Sequence, residues 1–126
     1  MKIQESAEDY LEAILVLSKE KEHVRSIDVV RYLGFSKPSV SVYLKNLRMN
    51  NYIIVDTNGH ITLTESGLEI ANKISERHEI LAKVLMALGV SKEIAYEDAC
   101  KLEHAISDES FHALKNYYTK KIQETS

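Results

Sequence analysis

The stretch SIDVVRYLGFSKPSVSVYLKNLRMNNYIIVDTNGHITLT, from Ser26 to Thr64, decides the fold. Ser26 can cap a short helix in which Ile27, Val30 and Leu33 form one apolar stripe, and Gly34 is the stop signal behind it. Ser36 can cap a second helix to about Asn50, with Pro38 in the first turn, where a missing N–H costs nothing. Val40, Tyr43, Leu44 and Leu47 recur on its inner face. Two short helices joined through Gly34 and Phe35 make a helix-turn-helix. Tyr52 to Val55 is then rich in β-branched residues, Asn58-Gly59 is a strong hairpin signal, and Ile61 to Thr64 returns with alternating polarity, which predicts a wing.

On the N-terminal side, Ser6 to Lys19 is predicted helical, with Ser6 as cap, acids in the first turn and Tyr10, Ile14 and Leu17 at helical spacing. On the C-terminal side, Leu68, Ala71, Ile74, Leu81, Val84, Leu85 and Leu88 predict one long helix from Glu65 that Gly89 ends. Two further helices fit Ser91 to Ile106 and Asp108 to Glu124. The expected fold class is mainly α: a winged helix-turn-helix DNA-binding domain over residues 1–64, then a helical dimerisation domain over 65–126. A chain of 126 residues has no room for a large catalytic domain as well.

The composition, 44% hydrophobic and 28% charged, excludes a disordered or fibrous chain. A single cysteine cannot make an intramolecular disulfide, and no apolar segment follows the charged start MKIQESAEDY. The longest apolar stretch, Ala13 to Leu17, falls far short of the ~20 residues of a membrane span. A cytoplasmic protein with no membrane role is expected.

The net charge of −3 is unevenly spread. Between Lys21 and His60, Lys21, Arg25, Arg31, Lys37, Lys45 and Arg48 stand against only Glu22, Asp28 and Asp56, whereas from Thr64 onward eight cations face eleven acids. The basic part thus coincides with the helix-turn-helix. At the start of its second helix, Ser36, Lys37, Pro38 and Ser39, with Ser41 and Val42 one turn on, are small enough to admit DNA closely, and Val42 can meet a thymine methyl. Arg25, Lys45 and Arg48 would position the protein on phosphates. So few cations make a monomer a weak binder, which points to a homodimer reading two half-sites of double-stranded operator DNA. The competing reading is a protein-binding winged helix whose serines only cap.

Cys100, Glu103 and His104, spaced i, i+3, i+4, place a thiolate, a carboxylate and an imidazole on one helical face, three metal-ligand types within reach of one ion. Asp9 and Glu12 are also one turn apart, and His78 lies in the middle of the long helix. Each alone has a plainer reading: Asp9 as a first-turn acid, Glu12 as a solvated charge, His78 as a surface histidine, Cys100 as a small core residue. A regulator sensing a small organic ligand, with this cluster incidental, is the alternative. An enzyme using Cys100 as nucleophile and His104 as base would lack an oxyanion donor and a glycine-rich turn.

The segments SAEDYLEAI (6–14), FSKPSVSVYLKNL (35–47), LTESG (63–67), RHEIL (77–81) and YEDACKLEHAISDE (96–109) resemble the diphtheria-toxin-repressor and manganese-transport-regulator family of metal-dependent repressors. The resemblance implies a winged-helix head, a helical dimerisation region, and divalent metal that favours operator binding in the control of metal homeostasis. It implies Asp9, Glu12, His78, Cys100, Glu103 and His104 as ligands of one or two ions per subunit, Fe²⁺ or Mn²⁺, with Zn²⁺ or Co²⁺ also chemically acceptable. Asp9, Glu12 and His78 are similar to the manganese branch, whereas Cys100 falls where that branch has glutamate and the iron branch has cysteine. A thiolate shifts the preference from Mn²⁺ toward Fe²⁺. Ala82 and Tyr96 stand where the iron branch's ancillary site has a glutamate and a histidine, and the chain resembles short members without the SH3-like third domain.

Overall fold

The computed structural model describes residues 5–125, ordered as α1 (Glu5–Glu20), α2 (Ser26–Leu33), α3 (Lys37–Met49), β1 (Ile53–Val55), β2 (Ile61–Leu63), α4 (Glu65–Ala87), α5 (Lys92–Leu102) and α6 (Asp108–Thr125). This is the mainly helical, winged arrangement expected. The chain divides into two compact units at Lys73 and Ile74, inside α4. Among the described residues no helix is long and apolar enough to cross a membrane.

In the first unit, α1 supplies Ala7, Tyr10, Leu11, Ile14 and Leu17 to a core completed by Val29 of α2, Val40, Leu44 and Leu47 of α3, Ile53 and Ile61 of the hairpin, and Ala71. Tyr10 stacks on Tyr43 with ring centroids 4.7 Å apart, tying α1 to α3. Burial pushes the Tyr10 phenol up from its ordinary value, and the neighbouring Tyr43 adds to the shift. Ser6, read as the cap of α1, lies inside that helix.

The cap of α2 differs from expectation as well. Arg25 is the capping position, extended at φ −121°, and Ser26 is already helical. The cause is Asp28, whose carboxylate accepts the Arg25 backbone N–H at 2.9 Å and pairs with Lys21 at 2.6 Å. Lys21 first, then the Arg25 amide, hold the Asp28 carboxyl below the usual carboxylate range. Val29 rather than the stripe of Ile27, Val30 and Leu33 is the fully buried residue of α2. Gly34, at φ 74°, closes the helix by donating to the Val30 carbonyl. Ser36 caps α3 as expected, accepting the Ser39 N–H at 3.3 Å.

The wing pairs Ile53 with Leu63, Ile54 with Thr62 and Val55 with Ile61. Asp56 N–H meets the His60 carbonyl across a three-residue loop, and Gly59 takes the left-handed conformation such a loop demands. The Asp56 carboxylate accepts the Asn58 and His60 amides, and the His60 amide is the larger cause of its lowered pKa. A lone bridge joins Ile61 to Val24 in the α1–α2 connection, at 2.7 Å. At the base of the wing, Thr64 caps α4 by accepting the Gly67 N–H. A Cβ on Gly67 would lie 2.0 Å from the Tyr52 carbonyl oxygen, so only glycine lets α4 start here.

In the second unit, Leu81 and Ala82 of α4 pack with Ala95 and Ala99 of α5 and Phe111 of α6. Helix α5 stops at Leu102, four residues before the expected end, and the Leu102 carbonyl accepts both the Ala105 and Ile106 amides in the turn that follows.

Gly67→Ala should lower stability by about 1–3 kcal/mol, as overpacking against backbone does, read as a shifted urea midpoint. Asp28→Ala should cost about 1–2 kcal/mol at neutral pH through the lost cap and hydrogen bonds. Because the folded Asp28 pKa is depressed, its contribution is present above the unfolded value of ~3.9 and lost as pH falls through the folded value. The difference between variant and wild type should therefore shrink as pH falls below ~3.9, which urea titrations from pH ~7 to ~2 would test.

Candidate metal centre and nucleic-acid interface

In the second unit, His78 of α4, Cys100 of α5 and Glu103, which caps α5, bring one ligand atom each within 4.8 Å of one another. His78 Nδ1 lies 2.9 Å from one Glu103 carboxylate oxygen and 3.7 Å from Cys100 Sγ. The other Glu103 oxygen is 3.3 Å from His104 Nε2. Helical spacing brings Cys100 and Glu103 to one side, yet of the three only Cys100 lies within α5, and His104 belongs to the turn. That turn gathers the donors from different backbone directions, unlike a bare helical face.

The Glu103 side chain is 1% exposed, which for an isolated carboxylate would be very costly. Two imidazoles and a thiol surround it, a nitrogen, oxygen and sulfur set suited to a divalent transition metal. Bonds of about 2.0–2.3 Å to one ion require donors spaced as closely as these, so the residues fit a metal. Asp9 and Glu12 lie in the first unit, one turn apart on α1 and half-buried.

The same unit carries the expected nucleic-acid face. Ser36, Lys37, Pro38, Ser39, Ser41, Val42, Lys45 and Arg48 are all exposed, while Val40, Leu44 and Leu47 of the same helix turn inward. Val42, at 61% exposure, is the apolar side chain offered on that outer face near the start of the helix. Between α3 and the wing runs a cleft of about 320 Å³, lined by Ser26, Ser41, Lys45, Arg48, Val55 and Gly59 among others. Arg25 is exposed but held: its Nη2 is 3.1 Å from His60 Nε2, and His60 Nδ1 is 3.3 Å from the Asp56 carboxylate. Arginine only donates, so His60 Nε2 accepts and Nδ1 carries the proton toward Asp56. His23 stacks on His60 at 4.0 Å.

A head with an exposed recognition helix and a wing, and a helical unit with a His, Cys and Glu cluster, match two family models end to end. Residues 2–61 match the N-terminal DNA-binding domain of iron-dependent repressors, and residues 64–121 match their metal-binding and dimerisation domain. The chain belongs to the iron-dependent repressor family. Among its relatives, an uncharacterized HTH-type transcriptional regulator of Methanocaldococcus jannaschii is 36% identical over 94% of this chain and 96% of its own length. The transcriptional regulator MntR of Escherichia coli is also 36% identical, over 93% of this chain and 76% of the relative. Among solved structures, the manganese regulator SloR superposes with a TM-score of 0.79 at 27% identity. That match covers 94% of this chain, which spans 55% of the SloR chain.

Sequence reasoning missed Ser26 as a cleft residue, His60 as the holder of Arg25, and Arg77, a buried arginine that contacts the backbone around Glu103. His60 follows the turn signal Asn58-Gly59, which was the available clue; Arg77 had none beyond its place beside His78.

Lys45→Ala and Arg48→Ala should each weaken binding to duplexes of any sequence and reduce the salt slope of log K by about 1. Ser41→Ala and Val42→Ala should instead change base preference while leaving the slope alone. Binding titrations at several salt concentrations separate the two classes.

Proposed function

We propose that this family member is a metal-activated repressor that binds double-stranded operator DNA as a homodimer in the cytoplasm and controls metal homeostasis. The observation that carries the metal half of this reading is the buried Glu103 carboxylate, set between His78 and His104 with Cys100 alongside. Without a cation, Glu103, Asp9, Glu12 and an ionised Cys100 would gather like charge, which favours separation or proton uptake. A divalent ion supplies the compensating charge.

In this reading Asp9 and Glu12 join His78, Cys100, Glu103 and His104 as ligands of one or two ions per subunit. The first two belong to the DNA-binding unit and the others to the helical unit, so shared ligation holds the two units in one relation and fixes the spacing of the recognition helices. The free protein samples spacings that do not match adjacent major-groove turns. A 100-fold preference for the bridging state needs only ~2.7 kcal/mol of differential affinity.

The Cys100 thiolate favours Fe²⁺ over Mn²⁺. The second reading, a manganese regulator, is favoured by the likeness to the manganese regulator SloR. An anaerobic titration decides, using DNA selected from random duplexes by the metal-loaded protein. Wild type should bind with Fe²⁺ at low free concentration and release on chelation, and Cys100→Glu should move the response toward Mn²⁺. A wild type that answers Mn²⁺ but not Fe²⁺ supports the manganese reading. DNA binding that no metal or chelator alters refutes both and leaves the organic-ligand regulator.

A further inference from the structure

Arg77 is 6% exposed and lies one residue before His78 on α4. Its Nη1 donates to the Glu103 carbonyl at 3.1 Å and to the Ile106 carbonyl at 2.8 Å, and its Nη2 pairs with the Asp108 carboxylate at the start of α6. The guanidinium lies 5.5 Å from the centre of the Phe111 ring. One side chain therefore grips both ends of the turn between α5 and α6, the turn that contains His104 and follows Glu103. We propose that Arg77 is a positioning residue of the metal centre, holding this turn so that Glu103 and His104 meet His78 in ligating geometry.

Stability alone is a poor reason for this arginine. Burying a guanidinium is costly, and among the described residues its Nε has no hydrogen-bond partner. Asp108, its acidic partner, keeps 60% of its side chain exposed, which weakens the pair by screening. What the planar fork does supply is direction: two carbonyls past the end of α5 and one carboxylate at the start of α6 are read at once, which a lysine ammonium cannot do. Within the turn itself the Leu102 carbonyl accepts the Ala105 and Ile106 amides at 3.0 Å each. Arg77 and His78 thus take hold of the same turn by different handles, the first by its backbone and the second by the Glu103 carboxylate.

The inference rests on the metal reading above. Its test compares full-length wild type, Arg77→Lys and Asp108→Asn by calorimetric titration with Mn²⁺ and with Co²⁺, with thermal unfolding of each protein with and without metal. Loss of a group that orients ligands typically costs 10–100-fold in metal affinity, so ~10–100-fold is expected for Arg77→Lys. A severalfold loss is expected for Asp108→Asn, which keeps the arginine and removes the charge of one partner. The rise in unfolding temperature on adding metal should shrink in both variants. A folded Arg77→Lys protein with affinity within about twofold of wild type overturns the proposal, as does one whose unfolding temperature drops equally with and without metal. Should Arg77→Lys not fold, unchanged affinity in Asp108→Asn overturns it. A wild type that binds neither ion refutes the metal reading itself, a failure distinct from variants that bind as well as wild type.

Discussion

A carboxylate that cannot reach water has to be answered by neighbours, and Glu103 imposes that demand on the second unit. Its two oxygens are met by His78 and His104, and its backbone carbonyl by Arg77. The end of α5, the turn after it and the middle of α4 are all shaped by these contacts. Beside them, Leu81 and Ala82 of α4, Ala95 and Ala99 of α5 and Phe111 of α6 form the core of the unit. Burying a carboxylate is costly unless it is paired and hydrogen-bonded, as Glu103 is here.

The first unit follows a different logic. Helix α3 spends one face on the core and presents the other, small and polar with an uncovered valine, to the exterior. Its start is set by the Ser36 cap, and the preceding turn by the left-handed Gly34. Stacking of Tyr10 on Tyr43 makes the outer face of α3 answer to α1. Asp9 and Glu12 are carried by that same α1, so these two acids and the exposed face of α3 are built on one core.

Much of this was legible in the sequence because periodicity reports burial. The helices of the head, the hairpin and the long α4 follow from apolar spacing and from Gly34, Asn58-Gly59 and Gly89 as punctuation. Cap positions were less legible: several short polar residues compete near a helix start, and Asp28, reaching back three residues, favoured Arg25 over Ser26. The early end of α5 was hidden for another reason. Nothing local forbids a helix through Ile106, and the turn that replaces its last residues has its Glu103 and Ile106 carbonyls held by Arg77, distant in sequence. Of the candidate site, His78 alone reads as a surface histidine and joins the set through the family resemblance, whereas the spacing of Cys100, Glu103 and His104 was readable as a donor set. The arginine behind them was not, since a helical Arg ordinarily reads as a solvated cation.

The bridge between Val24 and Ile61 adds a third point of attachment to what is otherwise a two-stranded wing. With Arg25 braced on His60 just beside it, the hairpin is fastened at its root to the connection between α1 and α2. A wing held at that opening would not follow the duplex. In a complex formed on this face, groove width and bendability would then be selected by the protein's own dimensions, and base steps that never touch a side chain would still contribute to the choice of site.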